Sequence, residues 1–411
     1  MTLTREDLDF IGAHEPDLPL CGGIGAEIWR PAGFEQSIRH LQIMEKLGYQ
    51  NWGFTEQTQS WTFRSMWGLL PDSEYVPDYE AFYDTTCLIA AAGMQTTKIR
   101  FSFTTDCYRR PPSVMAQTLK TLDQITRGRV DVLVGTGENK QFLPHGLERT
   151  LPRIKRLEEY VRIVKGLLRT SEPVTIPGEF WPQQDALLGC PVYNSDAPPS
   201  VIVVGGGPAT MRLVGRVADG LSSYLPGAYA NIPEAMAEDL AIMREEAERV
   251  GRDPGSIPVG AGNTVVLCEN DSEITRALDS PYIRGSVLNL TPTGEHWKKW
   301  GGEHPLGDKY ALSMTHRSTN FSRPELQDAF AKITENDIQQ MIYVGSPEDV
   351  AARMLPWAKV MGHPQVPLGY ALDFGAAVFP EHRELAEDGL PRWHHLQLRF
   401  AAELNRLLAA S

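Results

Sequence analysis

Gly128-Arg129-Val130-Asp131-Val132-Leu133-Val134-Gly135-Thr136-Gly137-Glu138 decides the fold. Its core, Arg129 to Gly135, is apolar and rich in valine, which predicts a buried strand ending in a glycine turn. Pro111-Pro112 opens a helix over Val114 to Ile125 just before it. Ile154, Leu157, Val161, Val164 and Leu168 follow at helical spacing.

The same strand-then-helix unit recurs outward in both directions. Strands are predicted at Leu20–Ile28, Asn51–Thr55, Ile99–Thr104, Val201–Val204, Gly220–Tyr224, Val259–Leu267 and Val366–Phe374. Helices are predicted over the apolar series Phe34, Ile38, Leu41, Met44, Leu47, and over Pro347–Met361 and Trp393–Leu408. Repeated units of this kind build a parallel sheet, and this many favour a closed (β/α)8 TIM barrel. Residues 1–411 read as one barrel domain, with insertions after the second strand (58–83) and the seventh (269–338).

Composition narrows the function. Apolar residues make up 42% and charged residues 22%, enough for a full core. Lys plus Arg is 39 against 52 Asp plus Glu, a formal charge of −13, which argues against nucleic acid as a partner. No run of about 18 apolar residues predicts a membrane span. The start, Met1 to Pro16, lacks a secretory pattern. The five cysteines (Cys21, Cys87, Cys107, Cys190, Cys268) are scattered, with no metal-ligand spacing, which predicts reduced thiols in a cytoplasmic protein and no metal.

In a barrel the chemistry lies where strands end. That singles out Glu56-Gln57, Thr104–Arg110, Gly135–Asn139 and Gly205–Thr210. Gly205-Gly206-Gly207-Pro208 follows an apolar strand and opens a helix, the arrangement of a phosphate cradle or of a plain tight turn. Gly137-Glu138 offers close ligand approach beside an acid or base, or a surface carboxylate paired with a cation. Trp61 could wall a flat ligand or plug the loop beneath it. His394-His395 is expected at the surface or in an oligomer contact.

Taken together, these stretches resemble the bacterial luciferase-like superfamily of flavin- and deazaflavin-dependent oxidoreductases. The carriers are Leu47-Gly48-Tyr49 leading to Thr55-Glu56-Gln57, and Arg110-Pro111-Pro112-Ser113-Val114-Met115-Ala116-Gln117 with Thr121-Leu122-Asp123. Gly128-Arg129 to Glu138, Arg156-Leu157-Glu158-Glu159, Gly206-Gly207-Pro208 and Gly215-Arg216-Val217-Ala218-Asp219-Gly220 complete them. Within the superfamily the sequence is similar to the branch using coenzyme F420, and Trp61 and Glu138 match its glucose-6-phosphate dehydrogenases. Glu56-Gln57 replaces that branch's Asp-His pair.

The resemblance implies that Glu56, Thr105, Thr136, Gly137 and Gln141 contact the cofactor. It implies that Gly206, Gly207, Ala209 and Thr210 hold its phosphate side. A non-proline cis peptide is implied at Ser102-Phe103, a bond that costs about 3 kcal/mol. Glu138, Gln57 and Trp61 are the implied catalytic set. Gln57 has no titratable proton, so Glu138 is the residue left to donate one. Gly227 stands where sugar-phosphate enzymes have a phosphate-binding lysine, so a sugar phosphate is not expected. The insertions, including Glu303-His304-Pro305-Leu306-Gly307, are also similar to the phthiodiolone ketoreductases.

The expectation is an F420-dependent oxidoreductase moving a hydride between the deazaflavin C5 and an apolar ketone, enone or alcohol. The main rival is a two-component FMN-dependent monooxygenase. A non-catalytic flavin-binding relative and a barrel hydrolase using Glu56 and Glu138 are the others. The superfamily's habit implies a homodimer acting on a small molecule.

Overall fold

Eight parallel strands form the central sheet of the computed structural model, which describes residues 4, 6–7, 34–58, 65, 83–147, 150–290, 294–308, 310 and 320–411. In chain order the strands are β1 (Asn51–Thr55), β2 (Arg100–Asp106), β3 (Val130–Gly135), β4 (Val174–Ile176), β5 (Gln183–Ala186), β6 (Val201–Val204), β7 (Gly220–Leu225), β8 (Val259–Leu267), β9 (Tyr343–Gly345) and β10 (Ala371–Asp373). The sheet runs β1-β2-β3-β6-β7-β8-β10, and β9 also pairs with the end of β8. Strands β4 and β5 form a separate antiparallel hairpin.

Register explains why one face is apolar. Phe54 lies opposite Phe103, Phe103 opposite Val132, and Val132 opposite Val201. All four side chains are fully buried in the layer between sheet and helices. Alternation along β3 buries Val130, Val132 and Val134 and turns Asp131 and Leu133 the other way. Because every strand of this sheet points the same way, Asp106 at the end of β2 and Glu56, Thr136, Gly205 and Pro226 just past their strands share one rim.

The helices pack as their patterns require. Helix α1 (Phe34–Lys46) buries Ile38, Leu41 and Met44. Helix α2 (Thr85–Gln95) starts at Asp84, whose carboxylate accepts the N–H groups of Thr86 and Cys87. Helix α3 (Pro112–Thr126) begins on proline and ends at Arg127 and Gly128, both at positive φ. Arg129 then donates to the carbonyls of Gly93, Thr96, Ile99 and Thr126, which fastens the opposite rim.

Two further family stretches are explained by helix packing. Helices α4 (Asn139–Phe142), α5 (Arg153–Leu168), α6 (Pro208–Val217) and α7 (Pro233–Arg249) follow in order. Arg216 of α6 binds Glu158 of α5 at 2.9 and 2.7 Å and Glu246 of α7 at 2.6 Å. A Cβ at Gly215 would lie 2.5 Å from the Met243 carbonyl, so only glycine permits this helix crossing.

The 269–338 segment holds helices Asp271–Asp279, Pro281–Leu290, Arg323–Ala331 and Glu335–Met341, and a 3₁₀ stretch Gly294–Trp300. They share an apolar cluster around Ile283, Leu288, Trp297, Leu326 and Ile338, joined to the sheet through Val266 and Val344.

Several expectations are corrected. The last expected strand is shorter, Ala371–Asp373 in place of 366–374. Strand β9 lies between the 269–338 insertion and the Pro347–Met361 helix, where no strand was expected, and the β4–β5 hairpin lies within 173–200, expected as a Pro-rich connection. His394 is buried against Tyr49 and Trp393, not on the surface, and burial pushes its imidazole down to about 4. Among the described residues the cis peptides are Leu151–Pro152 and Leu225–Pro226, so Ser102–Phe103 is trans. Both of those residues sit mid-strand, in unbroken register with β1 and β3, which a trans backbone satisfies. The expected first strand, Leu20–Ile28, and almost all of the 58–83 segment lie outside the described residues.

Candidate active site

The rim at the β1–β3 ends is a web of charge-assisted hydrogen bonds. Glu56 directly follows β1, and its N–H donates to the Thr104 carbonyl at 2.8 Å, which holds the residue beside β2. Its carboxylate accepts from the Thr105 hydroxyl and pairs with Arg110 Nη2 at 2.7 Å. Arg109 donates to the Glu56 carbonyl at 2.7 Å and pairs through Nε with Asp106 at 2.8 Å. Asp106 also accepts the N–H groups of Tyr108 and Arg109, yet burial pushes its carboxyl above the usual range.

Gln57 and Gln141 face each other. Gln141 Nε2 donates to Gln57 Oε1, while Gln141 Oε1 accepts from Thr58 N at 2.7 Å, Thr58 Oγ1 at 2.8 Å and Arg109 Nη2 at 3.2 Å. Gln141 is thus a brace between the β1 and β3 connections. Arg110 Nη1 is buried with no hydrogen-bond partner among the described residues, a donor available to a ligand.

Glu138 lies just past β3, ahead of helix α4. Its side chain is 31% exposed and pairs with Lys140 Nζ at 3.2 Å. Lys140 is fully buried. Tyr224 on β7 and Tyr310 lie within electrostatic reach of Glu138. Burial raises both phenols and the Glu138 charge adds to it, so both stay protonated donors. Gly137, expected to admit a ligand, has a packing reason of its own. Its φ is +66°, and a Cβ there would collide with the Phe142 ring and lie 3.0 Å from Asp106 Cβ.

The glycine turn after β6 forms the other half of the rim. Gly205 and Gly207 adopt φ of +153° and +83°. A Cβ at Gly207 would meet nothing within 4 Å, so the backbone there is open to approach. Gly206 and Ala209 are exposed, and Thr210 is buried at the start of α6. Gly207 N–H is already given to Asp239 Oδ2 at 2.9 Å, which also accepts from the Tyr229 hydroxyl at 3.2 Å.

Of the expected site residues, Glu56, Gln57, Thr105 and Gln141 form one connected network, with Thr136, Gly137 and Glu138 on the adjoining strand end. Ser102 is buried mid-strand, and Phe103 belongs to the apolar layer. Trp61 lies outside the described residues. Lys140, Asp239, Tyr224 and Tyr310 were missed. Each owes its place to tertiary packing, and only the short step from Glu138 to Lys140 was a signal in sequence.

A family model described as luciferase-like monooxygenase matches residues 21–363. The chain belongs to that family. Among luciferase-like relatives, the phthiodiolone/phenolphthiodiolone dimycocerosates ketoreductase of Mycobacterium tuberculosis (strain ATCC 25618 / H37Rv) is 27% identical over 288 residues, 69% of this chain and 74% of that protein. An F420-dependent glucose-6-phosphate dehydrogenase of Nakamurella multipartita is 34% identical over 172 residues, 40% of this chain and 48% of that protein. The luciferase-like fold is shared with an F420-dependent secondary alcohol dehydrogenase in complex with an F420-acetone adduct: TM-score 0.61, 17% identity, 87% of this chain and 96% of that one. It is shared also with the oxygenating constituent of 3,6-diketocamphane monooxygenase of Pseudomonas putida in complex with FMN: TM-score 0.58, 17% identity, 94% and 97%.

Proposed function

We propose that this chain is a coenzyme F420-dependent oxidoreductase that reduces an apolar ketone or enone, with Glu138 as the proton donor. The observation that carries the reading is the division of labour on the rim. Gln57 has no proton to exchange, Glu56 is tied to Thr105 and Arg110 and is 11% exposed, and Glu138, 31% exposed, is the more accessible of the two carboxyl groups.

The residues fit the cofactor. Glu56, Thr105, Thr136, Gly137, Gln141 and the unpartnered Arg110 Nη1 would hold its ring, and the open backbone at Gly206, Gly207, Ala209 and Thr210 its phosphate. The first N–H groups of α6 have no acceptor within the helix and suit an anion. When bound, the deazaflavin supplies the hydride at C5. Glu138 then passes its proton to the substrate oxygen, and Tyr224 and Tyr310 stay neutral and flank that transfer.

A substrate without a phosphate agrees with Gly227. This glycine is buried, and a side chain there would have to displace the Met341 methyl and crowd the Leu290 carbonyl. Leu143, Leu147 and Leu151, on the connection after Glu138, are exposed and suit an apolar ligand. Two features of the wider reading belong to this proposal: residues 1–411 form one domain, and the chain works as a homodimer.

The two-component FMN monooxygenase is the second reading, supported by the FMN-bound neighbour of the same fold. Titrating the protein with F420 and with FMN, followed by visible absorption, separates them. Saturable F420 binding is expected, and binding of FMN alone overturns the deazaflavin reading.

A further inference from the structure

Lys140 is a lysine that no recognised motif requires, yet it is among the most deeply buried side chains of the molecule. An ammonium held out of water costs several kcal/mol unless it is paired. Its nitrogen lies 3.2 Å from Glu138 Oε2. The two partners are unequal: Lys140 is sealed in the protein, whereas Glu138 is 31% exposed.

The backbone makes the pairing more telling. Glu138 occupies the N-cap position of α4 with φ −133° and ψ 137°. A carboxylate there ordinarily accepts the N–H of the second or third helical residue. Glu138 makes no such bond, and its side chain is turned to Lys140 instead. The other groups around it are neutral donors, Tyr224 from β7 and Tyr310 from the inserted segment, with Asp106 behind Gly137.

We propose that Lys140 is the positioning residue of the active site: it holds Glu138 through Oε2 and leaves Oε1 for the substrate oxygen. The inference rests on the oxidoreductase reading above. In the reduction, Glu138 first takes up a proton from solvent through its exposed face; hydride from the reduced deazaflavin then forms the new C–H bond, the carbonyl π bond breaks, and the oxygen takes that proton from Glu138. Glu138 is left as a carboxylate, and the Lys140 ammonium offsets that charge when bound ligand covers the mouth. In the reverse direction the same pair receives the proton from an alcohol.

The test uses the full chain and two independent readouts. The first needs no cofactor: a double-mutant cycle of melting temperature with Glu138→Gln and Lys140→Met. Glu138→Gln removes the charge that faces a buried ammonium, so it should cost stability that Lys140→Met in the same chain partly restores. The second is steady-state ketone reduction with reduced F420. Lys140→Met should lower kcat about tenfold or more, leave KM and F420 affinity within about twofold, and be largely rescued by Lys140→Arg. Additive melting shifts overturn the proposal, and so does coupling in the melt with unchanged kcat. If Lys140→Met does not fold, Lys140→Gln takes its place in both measurements. Failure of the wild-type protein to bind F420 contradicts the oxidoreductase reading instead, and the melting cycle still judges the pair.

Discussion

Gly207 gives its backbone N–H to the Asp239 carboxylate at 2.9 Å, so the glycine cradle already has an anion seated on it. The carboxylate comes from helix α7 and is steadied by the Tyr229 hydroxyl at 3.2 Å. A phosphate that reaches Gly207 must displace it, because two anions cannot share one N–H.

Asp239→Asn removes the competing charge and keeps an oxygen acceptor. F420 affinity should rise by about tenfold at low salt and by less at high salt, where screening already weakens the repulsion. Fluorescence titration at two ionic strengths checks this. An unchanged or weaker affinity means that Asp239 does not face the phosphate.

Gly137→Ala places a methyl group in the Phe142 ring at a positive φ. Strain and overpacking together should cost about 1–3 kcal/mol of stability. Thermal unfolding of the ligand-free protein reads the loss, and a wild-type melting temperature contradicts the packing role assigned to Gly137.

Gly227→Lys tests the substrate reading from the opposite side. A side chain there would have to displace the Met341 methyl and would crowd the Leu290 carbonyl. The variant should melt lower than wild type and gain no glucose-6-phosphate oxidation. Acquisition of that activity would mean that the pocket can rearrange to hold a sugar phosphate.

Asp373 gives a pH prediction. It is fully buried at the end of β10, where burial raises its carboxyl to about 6 although Leu267 N and Gly375 N donate to it. The folded state therefore binds its proton more tightly than the unfolded chain. Its stabilising contribution is full below the unfolded value of 3.8 and is lost as pH rises through about 6. His40 and His394, pushed down by burial to about 3 and about 4, act the other way and lose stability on acidification. Asp373→Asn should gain relative to wild type between pH 4 and pH 6 as pH rises. Melting temperatures measured in parallel across that window check it, and a constant difference removes Asp373 from the pH dependence.

The sheet was legible wherever a strand was long enough to carry its own pattern. Asn51–Thr55, Val201–Val204 and Val259–Leu267 have the same limits in sequence and structure, and so does the helix Pro347–Met361. Tyr343–Gly345 was not legible, because three residues after a helix hold no period. His394 was misplaced because a histidine pair on a terminal helix gives no hint of Trp393 and Tyr49 closing over it. Within the site, Glu56, Gln57 and Glu138 could be found because strand ends mark the rim. Lys140 and Asp239 could not, since burial of a lysine and the reach of a carboxylate from a distant helix are properties of packing alone.

The central claim, proton donation by Glu138 to an apolar carbonyl, is tested most directly by anaerobic single turnover. Enzyme loaded with reduced F420 is mixed with an apolar ketone, and the return of the oxidised deazaflavin absorption is followed for wild type and Glu138→Gln. The expected result is rapid return with wild type and a loss of about a hundredfold or more in the variant, with F420 binding intact. Equal rates in the two proteins, or a reaction that proceeds only when oxygen is admitted, would contradict it.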